Sequence, residues 1–289
     1  MAAKPRIAIV GAGNLGSALA RALHGAGYSI SEIVYRSSSS AQRARRLARQ
    51  VHGRAAQLAE ARFKADAVWI CVPDSAIALC ARELAARAEW RGKVALHPSG
   101  ALTSNELQAL RRRGAAVGSA HPLMTFVKRS SPELAGVPFG VEGDTRAVQT
   151  ARRMIREMGG EIFSVRPRDK ALYHAWGAFA SPLFIALLAA AERVAMAAGV
   201  RSSGAGRRRM LPILRQTLSN YASLGPADAF SGPLVRGDVA TVRRHMRALA
   251  RLPEAREVYQ ALARAALESL PVRNRNELAK VLQDNNRHG

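Results

Sequence analysis

The feature that most constrains the fold of this chain is a glycine-rich turn near its start, within the stretch IAIVGAGNLGSALARAL. An apolar run ends at Gly11, further glycines follow at Gly13 and Gly16, and a small-residue segment with helical character comes next. In such a G-x-G-x-x-G turn, the first glycine permits the tight turn, the second lets backbone amides approach a phosphate, and the third lets helix and strand pack closely. The start of the helix adds free N–H groups and a partial positive charge. The pattern predicts a dinucleotide-binding turn in which Asn14 and Leu15 also contact the ligand.

Hydrophobic periodicity predicts the fold class. Short apolar runs alternate with helical segments over the first half, and the predicted strands are Arg6–Val10, Glu32–Tyr35, Ala67–Val72, Lys93–His97, Ala115–Ala120, Val137–Val141 and Glu161–Val165. This alternation is typical of an α/β fold with a doubly wound, mostly parallel sheet. After Pro167 the pattern is helical to the end. Because 289 residues suffice for two domains, we predict a dinucleotide-binding Rossmann-like domain over residues 1–166 and an all-helical domain over residues 167–289.

The end of the second predicted strand indicates which dinucleotide is bound. An NAD-binding unit usually carries Asp or Glu there, which holds the ribose 2′-hydroxyl. In this chain the strand is followed by Arg36 and a serine run that includes Ser37 and Ser38, with no acidic residue before Glu60. A guanidinium pairs with a 2′-phosphate, hydroxyls donate hydrogen bonds to it, and Arg43 in the next helix adds charge. The sequence therefore predicts NADP(H) rather than NAD(H), although the serines equally suit a helix cap.

Ligands of an open parallel sheet bind beyond the carboxyl ends of its strands, where this chain has three informative loops. Val72 and Pro73, at the end of the third predicted strand, are expected to pass the nicotinamide ribose, while Asp74 is expected to cap the next helix. His97 and His121 end two later strands, and each precedes a proline that holds it extended. Two histidines at neighbouring strand ends favour a substrate-binding role for His97 and a catalytic role for His121, with a structural role as the alternative for each.

The first long helix after the strands, predicted over Asp169–Ala198, brings further polar residues to one face. Lys170, His174 and Ser181 are spaced i, i+4 and i+11 along it. A proton donor is expected among them, although an exposed lysine at the helix start and a hydrogen-bonded core histidine fit the same pattern. Further on, GPADAFSGPLVRGD contains Arg236, which either binds a substrate carboxylate or tethers this loop. Asp238 is predicted to cap the following helix.

Six motifs in this order carry a resemblance to a known group of proteins: GAGNLGSALARAL, VWICVPDSAI, HPSGAL, SAHPLMTF, KALYHAWGAFAS and GPLVRGD. Together they resemble the Rossmann-like proteins with a C-terminal helical domain of unknown function, which are described as candidate NADP-dependent oxidoreductases. The plan is similar to that of the β-hydroxyacid dehydrogenases, pyrroline-carboxylate reductase, prephenate dehydrogenase, deazaflavin-dependent NADP reductase and ketopantoate reductases. The resemblance covers nearly the whole chain. It implies a cofactor domain, a helical domain that closes the cleft, and a homodimer formed through the helices.

The resemblance also implies roles for individual residues. Ser99 and Gly100 look like the Ser-Gly element with which β-hydroxyacid dehydrogenases contact substrate, and Lys170 matches the lysine of their first long helix. His174 stands where those enzymes have an asparagine, so the resemblance leaves open whether Lys170 or a histidine donates the proton. His121 resembles the catalytic histidine that precedes a proline in prephenate dehydrogenases. We expect a catalytic set of Lys170, His174, His121 and Ser99, and a substrate-binding set of Gly100, His97, Ser181 and Arg236.

Composition argues against several other classes of protein. The chain has 44 basic and 21 acidic residues, but its arginine runs are scattered and aromatic residues make up only 5%. A nucleic-acid-binding protein concentrates its charge and interleaves aromatic residues, so no specific nucleic acid is expected. Cys71 and Cys80 offer neither a disulfide framework nor a metal site. The apolar stretch Ala171–Ala191 is long enough for a membrane span, but its His174 and its Ser181-Pro182 step favour a buried interface helix.

These expectations combine into one functional hypothesis: an NADP(H)-dependent oxidoreductase that transfers a hydride to or from a carbonyl or imine carbon of a small carboxylate-bearing metabolite. A cytoplasmic location is expected, because MAAKPR runs into a strand without the features of a signal peptide. The expected partners are a small-molecule substrate and a second copy of the chain, without metal or membrane. A non-catalytic NADP-binding sensor or scaffold is the alternative, and a deazaflavin as the hydride partner stays open.

Overall fold

The computed structural model describes residues 4–128, 132–200 and 204–283. The chain divides after Ser181 into a first unit built on a β-sheet and a second unit made of helices. The predicted division at residue 167 marks the end of the strands. The first unit also keeps the next helix, because Lys170 and Tyr173 at its start are buried and contact strand residues.

The described residues of the first unit form one sheet of eight strands in the order β3-β2-β1-β4-β5-β6-β7-β8. The strands are β1 Ile7–Val10, β2 Ile30–Tyr35, β3 Arg54–Gln57, β4 Ala67–Ile70, β5 Val94–His97, β6 Ala116–Pro122, β7 Pro138–Gly143 and β8 Glu161–Ser164. Neighbouring strands are parallel except β6 and β7. The helices are α1 Asn14–Gly25, α2 Ser38–Gln50, α3 Asp74–Ala85, α4 Gln108–Arg111, α5 Thr145–Glu157 and α6 Lys170–Ala180. The predicted α/β fold with a mostly parallel, doubly wound sheet is confirmed.

The two faces of the sheet are both buried, which explains why the strands read as continuous apolar runs. Ile7 and Ile9 of β1 belong to one apolar cluster, and Ala8 and Val10 belong to another. All of the predicted strands are present with bounds shifted by a few residues. Because β1, β4, β5 and β6 run in parallel, their carboxyl ends lie along one edge of the sheet.

The second unit consists of α7 Pro182–Ala197, α8 Ala205–Ala229, α9 Pro233–Arg236, α10 Val239–Ala248, α11 Pro253–Ser269 and α12 Arg275–Gln283 within its described residues. Its core joins α10, α11 and α12 through Val242, Met246, Leu267 and Leu278. α8 is kinked at Gly225, where the backbone leaves the helical region before a proline. This is the predicted all-helical region that follows the sheet.

Among the described residues, the stretch Pro167–Ala197 is long and apolar enough to cross a membrane by length and composition, with a mean hydropathy of 1.6. The prediction of one uninterrupted helix over Asp169–Ala198 is wrong, because the backbone of Ser181 has φ −129° and ψ −82° directly before Pro182. The break separates α6, of 11 residues, from α7, of 16 residues.

Candidate functional site

A cleft of about 910 Å³ opens beside the glycine turn. It is formed by the turn after β1, the ends of β2, β3 and β4, and one side of α2 and α3. Its lining includes Gly11, Gly13, Arg36, Ser37, Ser40, Arg43, Gln57, Val72, Pro73, Glu83 and Arg87. The fold thus brings together Gly11, Gly13, Arg36, Ser37, Val72 and Pro73, which the sequence predicts as cofactor-binding residues.

The glycine turn has the shape that a bound pyrophosphate requires. Gly11 has φ +101°, and a Cβ there would collide with the carbonyl of Cys71. A Cβ on Gly16 would collide with the carbonyl of Gly11, so the missing side chain allows α1 to start directly against the turn. A Cβ on Gly13 would meet no atom within 4 Å, which leaves open space in front of the N-terminus of α1. The turn therefore fits a dinucleotide.

Three predicted cofactor contacts are placed elsewhere by the structure. The side-chain amide of Asn14 donates a hydrogen bond to the carbonyl of Phe126 at 3.4 Å, and Leu15 packs against the apolar core. Ser38 is the first residue of α2 and lies outside the cleft lining, whereas the next two residues, Ser39 and Ser40, lie within it. The side chains of Asn14 and Leu15 are engaged within the protein, and the predicted cofactor contacts of all three residues stay predictions.

The end of the cleft beside β2 is rich in positive charge. Arg36, Arg43 and Arg87 line it from three different parts of the chain, and Ser37 adds a hydroxyl group. Arg36 donates to the carboxylate of Glu83 at 3.0 Å, which holds its guanidinium at the cleft. Several guanidinium groups around one space suit a phosphate monoester.

The sequence prediction missed part of this lining. Gln57 ends β3, a strand that the periodicity did not reveal because its sequence RAAQ is short and polar. Glu83 and Arg87 were missed as well, although their i, i+4 spacing places them on one side of α3 and its last turn. That spacing was the signal that could have found them.

A second group of polar residues lies where β5 ends. His97 is fully buried, with Nε2 2.9 Å from the carbonyl oxygen of Thr103 and Nδ1 accepting the N–H of Ser99 at 3.2 Å. Burial lowers the pKa of His97 to about 4, against the opposing effect of the bond to Thr103. His97 is therefore a neutral residue that fixes the loop after β5. Main-chain groups occupy both ring nitrogens, which favours the structural alternative, and the substrate-binding role stays a prediction.

Ser99 is also used internally. Its hydroxyl donates to the carboxylate of Asp74 at 2.7 Å and accepts the N–H of Leu102 at 3.0 Å, and the residue is 4% exposed. Ser99 thus joins the start of α3 to the loop after β5, and its predicted catalytic role stays a prediction. Asp74 is the first residue of α3 and makes no capping hydrogen bond, contrary to the prediction.

Lys170 is buried at the centre of this group, with an exposed fraction of 1%. Its ammonium donates to the carbonyl oxygen of Ser99 and to the hydroxyl oxygen of Ser119, each at 2.7 Å. Burial lowers the pKa of Lys170 to about 8, and the charges of Glu142 and Asp74 oppose that shift. The lysine therefore links α6, β6 and the loop after β5 and carries a positive charge at neutral pH.

His121 and His174 meet over Gly100. A Cβ on Gly100 would lie 2.6 Å from Cδ2 of His174 and 2.9 Å from Nε2 of His121, so only glycine lets the backbone come this close to both rings. Nδ1 of His121 lies 2.7 Å from the hydroxyl of Tyr173. Burial, together with the charges of Lys170 and His174, lowers the pKa of His121 to about 4. His121 is thus a neutral imidazole, half-buried, whose Nε2 faces the exposed His174.

The two remaining predicted residues are Ser181, at the end of the first unit, and Arg236, in the second unit. Ser181 caps the C-terminus of α6, where its N–H still donates to the carbonyl of Gly177, and its substrate-binding role stays a prediction. Arg236 is exposed at the end of α9, in the second unit. The predicted cap of α10 is confirmed, since Asp238 accepts the N–H of Thr241 at 2.9 Å.

The first unit therefore carries a dinucleotide-shaped cleft and, at the same edge of its sheet, an imidazole with one nitrogen available. A neutral imidazole can donate or accept one hydrogen bond through Nε2. The buried ammonium of Lys170 supplies positive charge nearby. No group of three or more potential metal-ligating side chains occurs within the described residues.

Comparisons with known proteins agree with this description. Residues 1–122 match the Rossmann-like domain family, and residues 137–266 match a domain of unknown function, DUF2520. Both matches confirm the resemblance inferred from the motifs. No curated protein matches the chain significantly.

Several solved structures share the fold. A candidate NADP oxidoreductase from Bacteroides fragilis is 23% identical with a TM-score of 0.75, over 91% of this chain and 97% of that chain. An imine reductase from Myxococcus stipitatus in complex with NADP+ is 17% identical with a TM-score of 0.66, over 91% of this chain and 94% of that chain. A reductive aminase from Aspergillus terreus in complex with NADPH4, cyclohexanone and allyl amine is 17% identical with a TM-score of 0.64, over 92% and 94%. At these identities the likeness establishes the fold.

Proposed function

We propose that this chain, which joins a Rossmann-like domain to DUF2520, is an NADP(H)-dependent oxidoreductase acting on a carbonyl or imine carbon of a small carboxylate-bearing metabolite. The observation that carries the proposal is the cleft, with an open glycine turn at one end and arginines at the other. Solved structures of the same fold include imine reductases and a reductive aminase crystallised with NADP+ or NADPH. These neighbours support a reduction at carbon bonded to oxygen or nitrogen.

The residues of the cleft fit NADP(H) in particular. The turn at Gly11 and Gly13 would hold the pyrophosphate, and Arg36, Arg43 and Arg87 would hold the 2′-phosphate. The chain carries Tyr35 and Arg36, and no acidic residue, where an NAD-binding strand ends with a carboxylate, and the Glu83 carboxylate in the cleft lining is paired with Arg36. When bound, the cofactor supplies the hydride.

On the substrate side, His121 is the residue best placed to contact the reacting group, because its Nε2 is the ring nitrogen not bonded to Tyr173. His174 is exposed beside it and is proposed as a second contact. Lys170 acts through its charge and by fixing the loop after β5, since its ammonium is buried in hydrogen bonds. Arg236 is proposed to bind the substrate carboxylate, on the chemistry of its guanidinium.

A homodimer formed through the helices belongs to the same proposal. On α8, Ile213, Leu218 and Tyr221 are 66%, 54% and 60% exposed. An apolar groove of about 590 Å³ lies between α7, α10 and α11 of the second unit. Exposed apolar patches of this kind mark association surfaces in proteins that are not membrane-bound. We expect Leu218→Glu to convert the dimer to a monomer, and sedimentation equilibrium measures this change. We also propose that the protein is located in the cytoplasm.

Cofactor choice is tested by titration calorimetry with NADPH and NADH. Arg43→Ala removes one guanidinium from the cleft, and we expect about a 10-fold weaker affinity for NADPH with no change for NADH. Arg46→Ala is the matched control, because it removes the same charge from the same helix outside the cleft lining. Equal affinity of the unaltered protein for NADH and NADPH would contradict the NADP assignment.

Catalysis is tested by following NADPH absorbance against a panel of imines, 2-keto acids and aldehydes, with ketopantoate included. We expect turnover with at least one class, and a large loss of kcat in His121→Asn with NADPH affinity retained. Tight NADPH binding without turnover across the panel would support the alternative of a non-catalytic sensor or scaffold.

A further inference from the structure

Tyr173 is a buried phenol that contacts His121, the residue proposed above to contact the substrate. It lies on α6, one helical turn from Lys170, and is 8% exposed. Its hydroxyl is 2.7 Å from Nδ1 of His121 and 3.3 Å from the carbonyl oxygen of the same residue. The two rings meet edge to face with centroids 5.5 Å apart.

The protein fixes this ring from the opposite side. Gly140 of β7 is the register partner of His121 across the antiparallel pair, and a Cβ on it would lie 2.9 Å from both Cζ and the hydroxyl of Tyr173. Phe163 of β8 contacts the ring edge with centroids 5.7 Å apart. The position of the phenol is therefore set by the sheet.

The tautomer of His121, which places the imidazole hydrogen on Nδ1 or on Nε2, determines how this residue bonds to Tyr173. Burial raises the pKa of Tyr173 to about 12, and a hydrogen bond with the backbone of Gly140 opposes this shift. Because burial also lowers the pKa of His121 to about 4, both side chains are neutral near pH 7. A neutral imidazole carries its hydrogen on one nitrogen only, and the partner of the other nitrogen decides which. The separation of 2.7 Å is that of a full hydrogen bond whose direction depends on the tautomer, whereas the hydroxyl can donate to the carbonyl of His121 only over 3.3 Å. The hydroxyl has a single hydrogen, and Nδ1 is the closer of its two acceptors.

We propose that Tyr173 is a positioning residue that donates its hydroxyl hydrogen to Nδ1 of His121 and thereby keeps the imidazole hydrogen on Nε2, which faces Gly100 and His174. The Nε2–H is then a fixed hydrogen-bond donor for the oxygen or nitrogen of the substrate on which negative charge develops. The catalytic half of this inference rests on the proposed function, whereas the tautomer is a property of the protein alone. No proton is transferred in this step.

The test is nitrogen NMR of protein labelled with 15N-histidine at pH 7, with the His121 signals assigned through His121→Asn. We expect Nε2 of His121 to give a protonated, pyrrole-type signal and Nδ1 a pyridine-type signal. Tyr173→Phe should shift both signals towards a mixture of tautomers, and it should lower kcat about 10-fold while NADPH affinity and KM change little. Tyr259→Phe is the matched control. It removes a phenol 3.1 Å from Nδ1 of His245 in the second unit, and it should leave the His121 signals and kcat unchanged.

The outcomes separate the inference from the proposed function. A wild-type His121 with its hydrogen on Nδ1 overturns the inference even if Tyr173→Phe does not fold. Unchanged His121 signals in a folded Tyr173→Phe variant overturn it as well. If the tautomer responds as expected but no compound is turned over, the proposed function fails and the tautomer assignment stands.

Discussion

Replacing Lys170 by methionine measures the free-energy cost of burying its positive charge, which appears in the pH dependence of stability. The ammonium is 1% exposed and donates to the carbonyl of Ser99 and to the hydroxyl of Ser119, both neutral groups. After the substitution the carbonyl of Ser99 still accepts the hydroxyl of Ser119, at 3.1 Å. Lys170→Met therefore removes a buried charge without leaving that carbonyl unsatisfied.

The magnitude follows from the pKa of Lys170, which falls from 10.5 to about 8 in the folded chain because of burial. Between these two values the unfolded chain binds more protons than the folded chain, so the stability of the wild type rises with pH in this window. Relative to Lys170→Met, the wild type should gain about 2.5 kcal/mol in free energy of unfolding between pH 7 and pH 10. The difference at a single pH also contains the lost hydrogen bonds, which is why the pH dependence is the quantity to measure.

Urea unfolding followed by tryptophan fluorescence measures this quantity for the correct unit. The three tryptophans of the chain, Trp69, Trp90 and Trp176, all belong to the first unit. Lys64→Met is the matched control, since it removes the same charge from an exposed position in that unit. Each protein is unfolded at pH 7, 8, 9 and 10, and the free energy of each variant is subtracted from that of the wild type.

We expect the difference for Lys170→Met to stay nearly constant up to pH 8 and then to change steadily up to pH 10. Parallel profiles for wild type and Lys170→Met would show that the amine titrates alike in folded and unfolded chains. In that case the burial of its charge has no measurable free-energy cost, and the reasoning from burial to pKa is refuted.

Three further predictions test the turn, a helix cap and the coupling within the site. Gly13→Ala should change the free energy of unfolding by less than about 0.5 kcal/mol but abolish tight NADPH binding, because its Cβ projects into the open space of the turn. Gly16→Ala should lower the free energy of unfolding by more than about 2 kcal/mol, because its Cβ would collide with the carbonyl of Gly11. Urea unfolding measures the stability of both variants, and calorimetry measures their NADPH affinity. Asp238→Ala should cost about 1 kcal/mol of stability through the lost cap of α10, read from the urea midpoint by circular dichroism. Lys170→Met should raise the pKa of His121 but leave it below its ordinary value, because burial is the larger cause, and a pH titration of the imidazole signals checks this.

The fold was largely readable because the sheet is buried on both faces. Apolar runs such as Ile7–Val10 and Ala67–Ile70 have no solvent-facing positions, so strand and helix periodicities separate cleanly. β3 escaped detection because an edge strand with the sequence RAAQ buries little and carries polar side chains. The reversal of β7 also left no periodic signal, because the direction of a strand depends on how its connection crosses the sheet.

The site was readable only in part, because the sequence shows which residues approach the edge of the sheet and not which partners they meet there. Gly11, Gly13 and Arg36 were found through local rules about turns and strand ends. Lys170 was correctly placed on the helix that faces the sheet, but its contact with Ser119 joins residues far apart in the chain. Such contacts depend on packing across elements, which no spacing rule encodes.

The two His-Pro steps show where this limit lies. His97 and His121 are alike in sequence, each at the end of an apolar strand before a proline. β5 lies between two parallel neighbours, and His97 at its end is fully buried with both ring nitrogens bonded to the main chain. β6 instead pairs with the antiparallel β7, whose residue opposite His121 is Gly140. The absent side chain leaves room for the ring of Tyr173, which takes Nδ1 of His121 and leaves Nε2 free of the main chain. The different surroundings of two histidines that are alike in sequence therefore depend in part on one glycine of a neighbouring strand.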